Sequence, residues 1–168
     1  PPTLQLLKPV VENEAIKVLH NAKFDLKFLF KNGVEVKGQI FDTMLADQLL
    51  SAGKANHSSS LDNLAQSYLG RQLDKQQQSS QWEADLTDDQ LAYAAADVGV
   101  LLPLRQVLRK SLLTQRLNGV AQLEFDCLRS LAQMELAGIG VDVDRWQEYG
   151  QWVKQQLLHY QDKLQHHF

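Results

Sequence analysis

The chain has 168 residues, 44% of them hydrophobic, which is enough for one well-buried core. Its 17 basic and 20 acidic residues give a net charge of −3. That balance excludes a protein that coats nucleic acid through electrostatics alone, but not an enzyme that binds one strand end. The single Cys127 excludes an internal disulfide framework, and we expect it to be a small buried hydrophobe.

The chain contains no apolar run near the ~20 residues that span a bilayer, and no secretory signal. We therefore expect a cytoplasmic protein without a membrane partner. The first residue is not methionine, and the last residues lie within a helical pattern that has no Gly or Pro stop. Both ends resemble cuts within a longer protein, so we expect the chain to be a fragment.

The first half of the chain alternates short apolar runs with helical periodicities. The predicted elements are, in order, a short helix over 3–12, a buried strand over 15–21, a helix from about Lys23 to Gly33, a second strand within 34–43, and helices over 44–53 and 61–70. Residues 74–85 lack clean periodicity, and we interpret them as a solvated loop around Trp82.

A long helix is predicted after Thr87, because Thr87 and Gln90 have the spacing of a capping box. Pro103 is expected to bend or interrupt this helix. Its predicted core face consists of Leu91, Ala95, Val98 and Leu102.

The last fifty residues carry two apolar stripes at helical spacing. The first consists of Val120, Leu123, Cys127, Leu128, Leu131 and Met134, and the second of Trp146, Tyr149, Val153, Leu157, Tyr160 and Leu164. We predict two antiparallel helices that turn at Gly138–Asp144, with Asp144 capping the second, and a domain boundary near residue 118.

Two pairs of polar residues, each four apart, could carry chemistry. Tyr93 and Asp97 lie one turn apart on a helical face, with three alanines between them that allow close approach of a ligand. Asn21 and Asp25 lie where a strand is followed by a helix, which is where α/β proteins usually bind ligands. The alternatives are a partly exposed tyrosine with a solvated aspartate in one case, and a helix N-cap with a first-turn carboxylate in the other.

Five motifs that follow one another in a fixed order favour a functional site over these alternatives. The motifs are "HNAKFD", "FDTMLADQLL", "LDNLAQSYLG", "LDKQQQSSQW" and "LTDDQLAYAAADV". Their order resembles the 3′–5′ exonucleases of the DEDDy class, a class shared by ribonuclease D and the proofreading domain of family A DNA polymerases. Asn21-x-x-x-Asp25 matches the second motif of that family, and Tyr93-x-x-x-Asp97 matches the third.

The resemblance implies an α/β, ribonuclease H-like exonuclease fold over residues 1–118. The family's first motif, Asp-x-Glu, is absent before Asn21, where Glu12 and Glu14 are the only acidic residues. We therefore expect a helix-dominated fold that lacks its first strands and is followed by two long antiparallel helices. The stretch "EFDCLRSLAQMELAGIGVDVDRW" resembles the entry into a DNA polymerase I-type thumb, which is the predicted identity of residues 119–168.

The resemblance also implies roles for individual residues in two-metal hydrolysis of a phosphodiester. Asp97 and Asp25 would be the metal ligands, and Tyr93 would orient the attacking water. Asn21 and Phe24 would contact the substrate. We accordingly expect Asp25, Tyr93 and Asp97 to converge in space. The expected cofactor is a pair of Mg²⁺ or Mn²⁺ ions, which the fragment alone lacks the ligands to hold.

The expected partners are a single-stranded DNA 3′ end and the remainder of a polymerase chain. Two other functions remain open at this stage. One is a ribonuclease D-like RNA exonuclease, of which "LDKQQQSSQW" is at least as typical. The other is a non-catalytic nucleic-acid-binding domain, since family members that have lost their carboxylates take such roles.

Overall fold

The computed structural model describes residues 2–52, 54–73 and 86–166. The predicted loop around Trp82 lies outside these residues. The elements are α1 (Pro2–Gln5), α2 (Lys8–Val11), β1 (Lys17–Leu19), α3 (Ala22–Lys31), β2 (Ile40–Asp42), α4 (Thr43–Leu50), α5 (Leu61–Leu69), α6 (Asp88–Gly99), α7 (Leu101–Thr114), α8 (Asn118–Ala137) and α9 (Val143–Gln165). Helices dominate, and the predicted α/β class is confirmed.

Within the described residues the sheet is a parallel pair, with β1 beside β2. Val18 is aligned with Phe41, and Leu19 with Asp42. Parallel neighbours need a crossover, which α3 supplies, so β1, α3 and β2 form one β-α-β unit. Both strands therefore end at the same edge of the sheet, and each is followed at once by a helix. The two strands predicted over residues 15–21 and within 34–43 are confirmed, and that they belong to a larger sheet stays a prediction.

Helix α7 lies at the centre of the core. It packs against β1 and against α4, α5 and α6, because Leu104, Leu108 and Leu112 recur on one of its faces and are all buried. The other large side chains of the core include Leu26, Ile40, Phe41, Leu64 and Phe125.

Helix α8 closes the core from a distant part of the sequence. The Arg129 Nε donates to the Val36 carbonyl at 2.9 Å, and its guanidinium also donates to the carbonyl of Gly38. Gly38 itself has φ +72°, and a Cβ there would lie 2.6 Å from the Ala15 carbonyl oxygen. Only glycine fits this loop, because any side chain would collide with the backbone that leads into β1.

The helix predicted after Thr87 is present but is interrupted before Pro103. The capping box is confirmed, since the Thr87 hydroxyl accepts from Gln90 N–H and the Gln90 side chain accepts from Thr87 N–H. Helix α6 ends at Gly99, and α7 begins at Leu101. Pro103 has no N–H to donate to the Gly99 carbonyl, which accounts for a break at this turn.

By length and composition alone, Asp88–Thr114 could cross a membrane. Only 17% of its most apolar window is buried inside the protein, although Leu104, Leu108 and Leu112 belong to the core. A single helix of this kind is weak evidence for a membrane segment, because helices of soluble proteins can have the same length and composition.

The predicted core face of α6 is wrong. Leu91, Val98 and Leu102 are 51%, 66% and 63% exposed, and Ala95 is also exposed. The half-buried face instead contains Tyr93 and Asp97. Periodicity identified an amphipathic helix correctly, but the face that packs is chosen by the neighbouring elements.

The core face of α8 was also misplaced. Of the predicted stripe only Leu128 is buried, and Cys127, predicted to be a buried hydrophobe, is exposed. The residues that pack are Ala121, Phe125, Leu128 and Ala132. The small side chains of Ala121 and Ala132 allow α8 to approach the core closely. The ring centroids of Phe125 and Phe41 are 5.0 Å apart.

The chain divides into two compact units, Pro1–Leu136 and Ala137–Phe168. The division lies later than the boundary predicted near residue 118, so α8 belongs structurally to the first unit. In the second unit, α9 is capped by Asp142, which accepts from Arg145 N–H at 3.1 Å, and not by Asp144 as predicted. The antiparallel arrangement of α8 and α9 and the polymerase-type identity of residues 119–168 stay predictions.

Candidate functional site

The site begins where β1 ends, at Asn21. This residue has φ 60° and ψ 50°, the left-handed conformation that asparagine tolerates better than most residues. Asn21 occupies the N-cap position of α3, but its side chain makes no capping hydrogen bond. The N-cap alternative is therefore wrong for the side chain, which is exposed and available for other contacts.

The capping function is supplied by Asp42, at the end of β2. Its buried carboxylate accepts from Ala22 N–H at 2.7 Å and from Asn21 N–H at 3.2 Å. The same carboxylate caps α4 by accepting from Met44 N–H at 2.8 Å and Leu45 N–H at 3.3 Å. One side chain thus satisfies the first N–H groups of two helices and fixes the backbone of Asn21.

His20 lies beside this junction and bonds to α4. Its Nδ1 is 2.9 Å from Thr43 Oγ1, and the Thr43 hydroxyl donates to the Leu19 carbonyl at 3.1 Å. Because that hydroxyl has one proton, we infer that His20 Nδ1 donates and Nε2 carries the lone pair. Burial lowers the pKa of His20 below its usual 6.5, although nearby carboxylates, among them Asp42 and Asp97, oppose this. The imidazole is therefore neutral at physiological pH.

Tyr93 and Asp97, one turn apart on α6, are joined by a side-chain hydrogen bond. Burial raises the pKa of the Asp97 carboxyl above its usual value. The Tyr93 hydrogen bond and the electrostatic interaction with the protonated form of His20 oppose the rise, and Asp62 adds to it. Asp97, His20 and Asp62 therefore lie within electrostatic range of one another. The third motif therefore lies within electrostatic range of His20, which follows β1.

Asp25, one turn into α3, is half-buried. Burial raises the pKa of its carboxyl, and the negative charge of Asp42 raises it further. Phe24 beside it is 66% exposed, as a side chain that contacts a ligand would be. Asp25 is thus linked electrostatically to Asp42, and Asp97 to His20. The direct convergence of Asp25 with Tyr93 and Asp97 stays a prediction.

The residues that the structure describes do not form a complete metal site. Across the described ranges no group of three His, Cys, Asp or Glu side chains is arranged to hold a metal ion. Asp25 and Asp97 supply oxygen donors of the kind that Mg²⁺ prefers, but two carboxylates fall short of a two-ion ligand set.

Asp47, the second carboxylate of α4, has a different environment. It is fully buried and accepts from Tyr68 Oη at 2.8 Å and from His57 Nε2 at 2.6 Å. Burial raises its pKa, but the hydrogen bonds from His57, Ser59 and Tyr68 outweigh burial and hold the pKa below its usual value. Asp47 in turn helps burial to raise the pKa of Tyr68 to about 12. This network fixes the loop before α5.

Sequence reasoning missed the residues that support the site, namely His20, Asp42, Thr43 and Asp62. The available signal was position: Asp42 ends β2 and Thr43 follows it, just as His20 and Asn21 follow β1, and parallel strands end at one edge. Local spacing could not reveal these contacts, since Asp42 and Ala22 are 20 residues apart.

A family model described as 3′–5′ exonuclease matches residues 2–113. The chain is 38% identical over 151 residues to the DNA polymerase I of Aquifex aeolicus, covering 79% of this chain and 25% of that protein. It is 35% identical over 100 residues to the ribonuclease D of Haemophilus influenzae, covering 59% of this chain and 24% of that protein. The chain therefore spans about a quarter of the length of these relatives.

The structure is similar to that of Brucella melitensis NrnC. With bound Mg²⁺, NrnC matches at a TM-score of 0.67 and 27% identity, over 82% of this chain and 65% of that one. Bound to pGG, it matches at a TM-score of 0.69 and 28% identity, over 79% of this chain and 64% of that one.

Proposed function

Because this chain belongs to the 3′–5′ exonuclease family, we propose that it supplies part of an active site that removes nucleotides from nucleic-acid 3′ ends within a DNA polymerase I-type protein. The observation that carries this proposal is the Tyr93–Asp97 hydrogen bond beside His20 at the end of β1. The polymerase context is supported by the extent of the similarity. It covers 150 to 152 residues for the DNA polymerase I relatives, against 100 to 126 for the ribonuclease D relatives.

In the proposed site the role of each residue follows from its position and its exposure. Asp97 presents a carboxylate whose raised pKa reflects burial, so a bound cation or proton would relieve a real energetic penalty. Tyr93 orients that carboxylate and a water beside it. Asn21 and Phe24 have exposed side chains at the start of α3, where they would contact the terminal nucleotide.

Asp25 is the second carboxylate of the proposed site. With Asp97 it accounts for two ligands of a divalent-metal site in the complete protein, Mg²⁺ or Mn²⁺. The remaining ligands would come from an Asp-x-Glu motif, which this sequence lacks before Asn21. We further propose a single-stranded DNA 3′ end as substrate, a cytoplasmic location, and residues 119–168 as the start of a polymerase thumb-type region.

A second candidate is a ribonuclease D-type RNA exonuclease. It is favoured by the 35% sequence identity to ribonuclease D, because two proteins can share a fold at much lower identity. The two functions differ in substrate, and both assign the chemistry to Asp25, Tyr93 and Asp97.

The experiment compares two chains on labelled single-stranded DNA and RNA, with Mg²⁺ or Mn²⁺. One is the 168-residue chain, and the other carries an N-terminal extension that includes an Asp-x-Glu strand. We expect release of the 3′-terminal nucleotide by the extended chain only. The 168-residue chain should be nearly inert, because misplacement by even ~1 Å can cost ~10²-fold in rate and loss of ligands costs more.

The controls are single substitutions in the extended chain. Asp97→Asn and Asp25→Asn should abolish release, whereas Asp126→Asn, an exposed carboxylate on α8, should leave it unchanged. A preference for DNA over RNA supports the polymerase proposal, and the reverse preference supports the ribonuclease D alternative. Digestion by the 168-residue chain that depends on Asp97 would contradict the incomplete-site interpretation.

A further inference from the structure

A cavity of about 460 Å³ lies between β2, α7 and the first turns of α8. None of its lining residues belongs to the candidate active site. Its volume falls within the ~300–1,000 Å³ range of small-molecule sites. Ile40, Phe41, Leu112 and Phe125 supply apolar wall, and Gln39, Asn118 and Gln122 supply amide groups.

Two arginines, Arg105 and Arg109, line the same cavity. They are four residues apart on α7 and therefore project from one helical face. Every residue that the structure assigns to the cavity wall is neutral or basic, so no carboxylate there balances the two guanidinium groups. A cavity with this lining favours an anion.

Arg105 is only partly satisfied by the protein. Its Nε is shielded from solvent and has no hydrogen-bond acceptor among the described residues. Its guanidinium lies 5.8 Å from the centroid of the Phe41 ring, a contact that holds the side chain against the cavity wall without using the N–H group. A shielded donor without an acceptor is costly, and a phosphate or carboxylate oxygen in the cavity would satisfy it once the side chain turns this N–H toward the cavity.

We propose that this cavity binds a nucleoside 5′-monophosphate, with the phosphate at Arg105 and Arg109 and the base against the apolar wall. Arginine pairs bind phosphate oxygens bidentately, and the amide groups can hydrogen-bond the edge of a base. The choice of a nucleotide over another ring-bearing anion rests on the proposed function, because nucleoside monophosphates are what a 3′–5′ exonuclease releases. The cavity is then a product-binding site separate from the catalytic residues.

The test is calorimetric titration of the 168-residue chain with deoxyadenosine 5′-monophosphate, deoxyadenosine or inorganic phosphate. Chelator is present throughout, so that a divalent metal cannot recruit the nucleotide to the candidate active site. We expect saturable binding of the monophosphate at about 1 mM or tighter, within the usual range for metabolites. Each half of the ligand alone should bind at least ~10-fold more weakly.

The variants locate the binding. Arg105→Gln and Arg109→Gln should each weaken binding ~10-fold or more, since each removes a charge-assisted hydrogen bond. Lys110→Gln makes the same charge change at an exposed position of α7 outside the cavity and should bind like the wild type. Arg109 is itself exposed, so Arg109→Gln decides the question if Arg105→Gln fails to fold.

Asp97→Asn separates this proposal from the proposed function. Nucleotide binding that survives Asp97→Asn and fails in Arg109→Gln supports the cavity. Binding that fails in Asp97→Asn and survives in Arg109→Gln would overturn the cavity proposal and leave the exonuclease proposal intact. The absence of saturable binding, or equal binding by Arg109→Gln and Lys110→Gln, would also overturn it.

Discussion

Asp42 and Asp47, on either side of the first turn of α4, are 1% and 0% exposed, whereas Asp25 and Asp97 are only half-buried. The two buried carboxylates nevertheless have the more complete sets of hydrogen-bond donors. Asp42 accepts four backbone N–H bonds, and Asp47 accepts from two aromatic side chains. For Asp47 this lowers the pKa, while burial raises the pKa of both Asp25 and Asp97.

The difference separates two uses of a carboxylate. A buried carboxylate with its full set of donors fixes the backbone and costs little to keep ionised. A half-buried carboxylate with few hydrogen-bond donors loses part of its hydration without replacement, so its ionised form costs free energy. Its oxygen atoms stay available for a ligand. Raised pKa values of this kind cluster at functional sites, although structural networks also produce shifts. The contrast predicts opposite responses to substitution.

Asp47→Ala should produce the largest loss of stability. It leaves the Tyr68 hydroxyl and the His57 imidazole without their buried acceptor, and we expect a loss of about 3 kcal/mol in the free energy of unfolding. Urea unfolding followed by circular dichroism measures this. Asp126→Ala, at an exposed position, should change stability by less than about 0.5 kcal/mol. Equal losses of stability in Asp47→Ala and Asp126→Ala would contradict the structural role of Asp47.

Asp42→Ala should cost somewhat less, about 2 kcal/mol, which is the upper end of the range for loss of a helix N-cap. Asp42→Asn keeps one carbonyl acceptor and should retain part of this stability. Amide hydrogen exchange at Ala22 and Met44 provides a local readout, since both should exchange faster in the alanine variant. Unchanged protection at Ala22 would show that Asp42 does not hold the start of α3.

Acid should act on the two classes of carboxylate in opposite directions. The lowered pKa of Asp47 means that its contribution is complete above its usual value of 3.8 and is lost as pH falls through the lower folded-state pKa. The raised pKa values of Asp25 and Asp97 mean that the folded state gains stability as pH falls from neutral through those values. His20, with its lowered pKa, loses its contribution as pH falls below 6.5.

Unfolding free energies of wild type and Asp97→Asn, measured from pH 7.5 to pH 4, test the acid prediction. The difference between the two proteins should shrink as pH falls, because wild-type Asp97 becomes protonated. If Asp97→Asn were instead the less stable protein at pH 7.5 and wild type lost stability relative to it as pH falls, the pKa of Asp97 would be lowered and not raised.

Asp97→Asn and Asp25→Asn should have the smallest effect on stability at neutral pH. Each removes a charge that burial disfavours, so we expect no loss and a gain of less than about 1 kcal/mol. Thermal unfolding at pH 7.5 measures this. A destabilisation comparable with that of Asp42→Ala would assign Asp25 or Asp97 to the structural class.

The sequence predicted the order of elements and the pairing of Tyr93 with Asp97, because both depend on local spacing along a helix. It failed for the packed faces of α6 and α8. Each helix has more than one apolar row, and the row that packs is selected by α7 and β2, which lie elsewhere in the sequence. Phe125 rather than Leu123 is buried because it meets Phe41.

The support of the candidate site was unpredictable for a related reason. Asp42 seemed to be an ordinary residue between a strand and a helix, and its bonds to Asn21 and Ala22 depend on the parallel register of β1 and β2. A pattern within one segment carries no information about register between two segments. The motif residues could be identified because a family resemblance supplied what local periodicity lacks.

The attachment of α8 has a consequence for folding during synthesis. Arg129 bonds to the Val36 carbonyl, and Glu135 pairs with Lys23 and Lys27 at 2.6 and 2.7 Å, so these contacts join residues about a hundred positions apart. Contacts of such long sequence separation form late, because a long loop must close first. Strand β1 and helix α3 have already left the exit tunnel while the ribosome is still synthesising α8. At that stage α8 does not yet pack against them. We expect α8 to be the last piece of the core to dock, and its release to be an early step of unfolding.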